Sequence, residues 1–498
     1  MTAVLLPLAL AAPLSVTTTT AQAASAVPGG GWSSRWMTTD STVVGTGTTL
    51  ADVRAIIGGT SAAAANLTGA GIGVALLDTG LAPVAGLPPA QVVNGPDLSF
   101  ESQAPELRYL DTYGHGTHLA GIVVGNDTAT KTVGLAPKAK LTSVKLGTAN
   151  GAVDVSQVIA AIDWVVQNRN YDPANPIRVL NLAYGSGGTV QSSQDPLHFA
   201  VERAWAAGIV VVVAAGNSGN ASGKLANPGT DPYVLTVGAT STKGTLSTAD
   251  DELSTYTNLG ASGARQPDVL APGESILSLR DPGGSVDVAF PSARSGETLF
   301  RGSGTSQAAA VTSAAIALLL QARPSLNPDQ VKMILKRNGT ALTGGQAGTL
   351  GLREINLDTA LSTSLTAGQN GKQSAGLDSL DTTRGTSRVI VNGVELSGNN
   401  TIFGPFDNQA YVKAANAGTS WKGGVWMGNR MAADGWTGTS FASKTWGSAI
   451  WPGSPWGGTT SWQDPAWLGR FWAGRFWAAT SWSGRFWASE DWSTAAWE

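Results

Sequence analysis

The sequence predicts an α/β protein with a mainly parallel central sheet and helices on both faces, plus a C-terminal β-rich or low-complexity repeat region. Three observations carry this. Between about residues 68 and 362, short β-rich apolar runs alternate with helical stretches, the pattern of parallel strands joined by crossover helices. Several runs, Ile209-Val210-Val211-Val212-Val213 above all, are apolar without a break, as strands covered on both faces should be. Past residue 419 this alternation is gone and tryptophan recurs at near-regular spacing.

Taken in order, residues 1–26 read as an export signal. Ala3–Leu14 is an apolar stretch, and Ala21-Gln22-Ala23 or Ala24-Ser25-Ala26 supplies small residues for cleavage; no Lys or Arg precedes the apolar stretch. Residues 27–65 form a short segment rich in Gly, Ser, Thr and Ala, with a helical candidate at Leu50–Ile57. Residues 66–362 carry the α/β pattern. Its strand candidates are Ile72–Leu77, Lys140–Leu146, Ile177–Leu182, Ile209–Ala215 and Val234–Val237. Its helices are His115–Val124, Val153–Asn168, Asp195–Ala207, the long apolar Ser306–Ala322, and Asn327–Lys336 with Pro328 in its first turn. Residues 363–418 read as a linker or small β region, with a strand candidate at Ser387–Val391. Residues 419–498 form the repeat region: Trp462, Trp467, Trp472, Trp477, Trp482, Trp487, Trp492 and Trp497 are five apart, with looser members from Trp421 to Trp456. A period of five fits neither the strand period of 2 nor the helical 3.6. A stacked β-solenoid and a low-complexity segment both remain open for it.

Composition narrows the function. A chain of 498 residues implies two or three units. Net charge is −3, and residues 421–498 hold nearly balanced charges, so nucleic acid is not an expected partner. The chain has no cysteine, which excludes disulfides, thiol catalysis and cysteine-ligated zinc.

Four short motifs carry the chemistry. Asp78-Thr79-Gly80 ends an apolar run, where open α/β sheets gather reactive groups. Gly114-His115-Gly116-Thr117-His118 places an imidazole among small neighbours. His115 and His118 could be read as a metal pair, but a third protein ligand is needed and His198 is the only other histidine, so no metal site is assigned. His118 reads as a structural residue on the inner helix face. Gly302-Ser303-Gly304-Thr305-Ser306 leads a serine into the long apolar helix, whose N-terminus favours developing negative charge. Asn217, in Ala215-Gly216-Asn217-Ser218, follows the valine run and could donate from its side chain to an oxyanion. Acid, imidazole, then hydroxyl is the chain order of one of the three known arrangements of a charge-oriented serine nucleophile.

These motifs, with Gly134-Leu135-Ala136-Pro137, Asn227-Pro228-Gly229, Ala271-Pro272-Gly273 and Pro324-Ser325-Leu326, resemble the subtilisin-like serine peptidases, or subtilases, over about residues 68–361. The resemblance implies a serine endopeptidase of broad specificity acting on polypeptides. Ser306 would be the nucleophile, His115 the general base, and Asp78 its orienting acid. Asn217 and the Ser306 amide would form the oxyanion hole. It also implies that Leu146-Gly147-Thr148 and Leu182-Ala183-Tyr184-Gly185 flank the substrate as extra strands. In the second segment Ala183-Tyr184 replaces the family's Ser-Leu, so Tyr184 would either narrow the primary pocket or pack against it. Gln307 stands where many members carry Met, and Ala310 where Pro is usual. No cofactor is required for catalysis. Structural calcium is common in the family, but no ligand set can be assembled, and Asp111, Asp127 and Asp251 are only loose candidates. The segment before the catalytic region is shorter than the family's usual propeptide. The expected protein is a monomer, secreted or associated with the cell wall, with the Trp-rich tail attaching it to cell wall or polysaccharide. The alternative is a surface adhesion protein that uses this tail and keeps a silent peptidase fold.

Overall fold

The structure, a computed structural model, describes residues 47–430 apart from 104–106, 150, 189–192, 386, 388, 392–393, 402–403, 423–424 and 428. The expected signal at 1–26, residues 27–46 of the next segment, and the tryptophan repeat from 431 onward lie outside the described residues.

A ten-stranded sheet organises the molecule. Its strands are β1 (Gly73–Asp78), β2 (Val92–Asp97), β3 (Lys140–Lys145), β4 (Ile177–Leu182), β5 (Val210–Ala214), β6 (Leu235–Ser241), β7 (Glu252–Leu253), β8 (Val269–Pro272), β9 (Thr340–Ala341) and β10 (Arg353–Glu354). The order across the sheet is β9-β10-β8-β6-β5-β4-β1-β3-β2, with β7 beside β6. Pairing is parallel from β10 through to β2 and antiparallel only for β9 with β10 and β7 with β6. The predicted α/β class is therefore the observed one. Every residue of β1, β5 and β6 is buried, and the β-branched run of β5 fits a pleated surface covered on both sides.

The main helices are α1 (Leu50–Ile56), α2 (His115–Val124), α3 (Val155–Asn168), α4 (Pro196–Ala206), α5 (Thr305–Ala322), α6 (Pro328–Asn338), α7 (Leu380–Arg384) and α8 (Asn408–Asn416). Local chemistry sets their starts. Asp154 with Gln157, and Asn327 with Gln330, form capping boxes that satisfy the first free N–H groups of α3 and α6. Helix α5 is long and apolar enough to cross a bilayer, but 89% of that window is buried inside the fold; it is a core helix.

Residues on both sides of 66–362 also pack on the main core. Leu50, Val53 and Ile57 pack into the main core, and Arg54 donates to the carbonyls of Leu67 and Leu135. Residues 47–65 thus belong to the same body. At the other end no break in packing falls at 362 or 418. Leu380, Phe406, Tyr411, Trp421 and Trp426 all join that core. Trp421 and Trp426 oppose each other across a short antiparallel pair. Their indole N–H groups go to helix α3, at Ala160 O (2.8 Å) and Asp163 Oδ2 (3.1 Å).

Candidate active site

The carboxyl ends of adjacent parallel strands converge on one edge of the sheet. Asp78 closes β1, Leu146 follows β3, Ala183 follows β4, and Asn217 lies in the turn after β5. This is where an open α/β sheet offers a crevice.

Asp78 and His115 meet at the centre. His115 Nδ1 lies 2.8 Å from Asp78 Oδ1, with the two side chains 0% and 1% exposed. The same carboxylate oxygen accepts the Thr79 N–H (2.8 Å) and hydroxyl (3.2 Å). His115 opens α2, and its neighbour Gly116 makes the approach possible: a Cβ there would stand 2.2 Å from the carbonyl oxygen of Gly80. Burial pushes the Asp78 carboxyl well up, while the Thr79 hydrogen bonds pull against that rise. Burial pushes the His115 imidazole well down, opposed by the charge of Asp111. The neutral imidazole, its Nδ1–H given to Asp78, is the form this environment favours at neutral pH.

Ser306 lies on α5, which packs against α2. It is the second residue of that helix, not its cap: the N-cap is Gly304, with no side-chain capping bond. Asn217 takes over part of that work. Its Oδ1 accepts the Thr305 N–H and the Thr305 hydroxyl, both at 2.9 Å. A backbone N–H can only donate, so this fixes which way the amide faces. Asn217 Nδ2 is thereby turned away from Thr305 as a donor beside the helix N-terminus that carries Ser306.

The two expected substrate-flanking segments are held from behind. Asp78 O accepts Leu146 N–H (2.7 Å) and Gly147 N–H (3.3 Å). Under them Glu101 pairs with buried Lys145 (2.7 Å), and its other oxygen accepts Ala149 N–H (2.7 Å). In the second segment Tyr184 is 1% exposed and belongs to the hydrophobic core, which favours packing over narrowing of the pocket. Leu182, Ala183 and Gly185 are also buried.

His118 is structural, as expected. Its Nε2 lies 3.2 Å and 3.1 Å from the carbonyls of Ile276 and Phe300, and burial lowers its pKa to about 3. Among the described residues no group of three or more His, Asp or Glu is arranged to hold a metal. The loose calcium candidates have other work. Asp127 accepts from Ala129, Thr130 and Thr298. Asp251 faces Glu354.

Asp111 is the residue whose role sequence reasoning missed. It is fully buried and accepts five hydrogen bonds. Oδ1 takes Thr79 Oγ1 (2.8 Å), Tyr113 N–H (3.1 Å) and Gly114 N–H (2.8 Å). Oδ2 takes Thr117 N–H and Thr117 Oγ1, both at 2.7 Å. It therefore bolts the loop after Asp78 to the first turn of the His115 helix. Its position four residues before His115 was the available signal.

The fold is thus a largely parallel α/β sheet with Asp78 and His115 paired at the carboxyl ends of its strands. A model of the subtilase family matches residues 69–352, and the chain belongs to that family. Serine protease AprX of Bacillus subtilis is 39% identical over 280 residues, covering 55% of this chain and 62% of that protein. Subtilisin DY of Bacillus licheniformis is 32% identical over 294 residues, covering 59% and 91%. Among solved structures, a cold-adapted subtilisin-like serine proteinase aligns at 28% identity and a TM-score of 0.45, covering 59% of this chain and 90% of the other.

Proposed function

We propose that this protein is a secreted serine endopeptidase of broad specificity that cleaves polypeptides through an acyl-enzyme. The observation that carries the reading is the buried 2.8 Å contact of His115 Nδ1 with Asp78 Oδ1, on a helix that packs against the helix carrying Ser306. Ser306 Oγ attacks the scissile carbonyl carbon while His115 Nε2 takes its proton. Asp78 holds Nδ1–H and stabilises the imidazolium that forms. The oxyanion is received by Asn217 Nδ2 and the Ser306 N–H at the positive end of α5. His115 then protonates the leaving amine, and water repeats the sequence on the acyl ester. An extended peptide would pair its backbone with Leu146–Thr148 and Leu182–Gly185, which gives sequence-tolerant affinity.

The test is cleavage of an unstructured protein such as casein by wild type, Ser306→Ala and Asn217→Ala. Ser306→Ala should be inactive. Asn217→Ala should lose about 10²–10³ in turnover, the magnitude that loss of an oxyanion-hole asparagine has in subtilisin, the namesake of this family. Equal activity in all three overturns the reading.

The tryptophans from 436 onward are proposed to attach the protein, as a monomer, to cell wall or polysaccharide, because indole faces suit flat sugar rings. Trp421 and Trp426 are excluded from that role by their burial. A chain truncated after Arg430 should leave the cell surface for the medium. Retention equal to full length contradicts the proposal.

A further inference from the structure

The region read from sequence as a linker lies directly behind the second substrate-flanking segment. Ser186 Oγ donates to Thr383 O at 2.5 Å, and Gly187 N–H donates to Ser387 Oγ at 3.1 Å. Gly385 has φ +57°, and a Cβ there would fall 2.4 Å from the carbonyl carbon of Gly187. The two backbones therefore touch, and only glycine allows it. Ser186 also exchanges both backbone hydrogen bonds with Asn227, at 2.9 and 3.1 Å.

Two buried carboxylates lock this arrangement. Asp195 caps α4 through Leu197 N–H (2.8 Å). It also accepts Thr383 Oγ1 (2.6 Å) and Asn227 Nδ2 (2.7 Å). Asp154 caps α3 and receives Arg384 on both oxygens, Nε at 2.7 Å and an Nη at 3.2 Å. Arg384 is wholly buried. Its remaining N–H groups reach Gly398 O, Asn400 O and Asp381. Gln157, in the capping box with Asp154, donates toward Leu146 O at 3.4 Å in the first segment. Helix α7 thus joins the supports of both segments. A connecting linker has no need to bury a bidentate arginine, since either partner alone would be left as an unpaired interior charge.

We infer that helix α7, with Gly385 and Ser387 after it, is a positioning brace of the substrate cleft, acting through Thr383, Arg384, Gly385 and Ser387. This rests on the proposed role of Leu182–Gly185 as a substrate-flanking strand. The brace sets where that segment's N–H and C=O groups stand, and so the register in which an extended peptide pairs with it. It does not touch the reacting atoms. A small acylating reagent is blind to it, whereas a peptide several residues long is not.

The test uses the full chain with Ser387→Ala and Thr383→Val, each deleting one hydroxyl, and Arg384→Lys, which keeps the charge but not the fork. Three quantities are read: the rate of fluorophosphonate labelling, hydrolysis of a single-residue ester, and KM and kcat for a chromogenic tetrapeptide. Labelling and ester hydrolysis should stay within about twofold of wild type. The tetrapeptide KM should rise about five- to tenfold in each variant with little change in kcat, the effect of losing roughly one hydrogen bond's worth of positioning. Tetrapeptide KM values equal to wild type, or an equal loss in all three assays, overturn the brace. Wild-type protein that takes up no fluorophosphonate overturns the peptidase reading beneath it, a different and distinguishable failure.

Discussion

Replacing Asp111 by Asn tests whether the triad loops are held by one carboxylate. The side chain keeps its shape but exchanges one acceptor oxygen for an NH₂ group. Oδ1 faces two backbone N–H groups and a hydroxyl; Oδ2 faces one backbone N–H, of Thr117, and a hydroxyl. The amide will turn its NH₂ toward Thr117. The Thr117 hydroxyl can rotate and accept, but its backbone N–H is left facing a donor. A bond to a charged acceptor contributes about 1.5–3 kcal/mol, and an orphaned buried donor costs about 1–3 kcal/mol. Relief from burying a charge offsets part of this, which leaves a net loss of about 2–3 kcal/mol. The assay is urea unfolding in a Ser306→Ala background, so that self-digestion cannot distort it. The midpoint should fall with the slope unchanged. In the Ser306 background kcat should drop about 10- to 100-fold, because His115 rides on the turn that Asp111 anchors. A stability change below about 0.5 kcal/mol, with unchanged kcat, would refute the reasoning.

Three further outcomes follow from the structure. Asp163 is buried beneath Trp426 and Tyr411, with its pKa raised to about 6. A folded value above the unfolded one means its contribution is full below about pH 4 and is lost as pH rises to about 6, worth about 3 kcal/mol. Asp163→Asn should therefore be stabilised relative to wild type at pH 7 but not at pH 4, and parallel urea curves at both pH values would contradict this. His115, pushed down by burial, should place the acid-limb midpoint of kcat/KM below about 6.5; a midpoint at or above about 6.5 would show an unperturbed imidazole. Gln307 follows Ser306 without a thioether beside the nucleophile, so activity should survive about ten minutes in dilute peroxide, and near-total loss would show another oxidisable group at the site.

The sheet and the four motifs were legible because each is locally encoded. An uninterrupted β-branched run such as Val210–Val213 suits a strand buried on both faces, and glycines around His115 and Ser306 mark close backbone approach before any contact is known. Asp111 was only half legible: four of its five bonds come from Tyr113, Gly114 and Thr117 close by in sequence, but the fifth, from Thr79 32 residues away, is brought in only by the fold. Arg384 failed for the same reason: in sequence it is one cation in a polar stretch, and its partner Asp154 lies 230 residues away. The spacing of Trp421 and Trp426 was illegible for another reason. Five matches no single strand or helix, yet it is the spacing of two residues that oppose each other in a short antiparallel pair, as Trp421 and Trp426 do, with Lys422 opposite Val425. Such pairing belongs to two strands together, which a one-strand periodicity cannot register.

The most direct test of an activated Ser306 is active-site titration of the full chain with a fluorophosphonate, followed by peptide mapping, beside Ser306→Ala. One equivalent should bind per chain, all of it on Ser306, and none on the variant. Well-folded wild type that stays unlabelled, or label that persists in Ser306→Ala, would contradict the assigned triad.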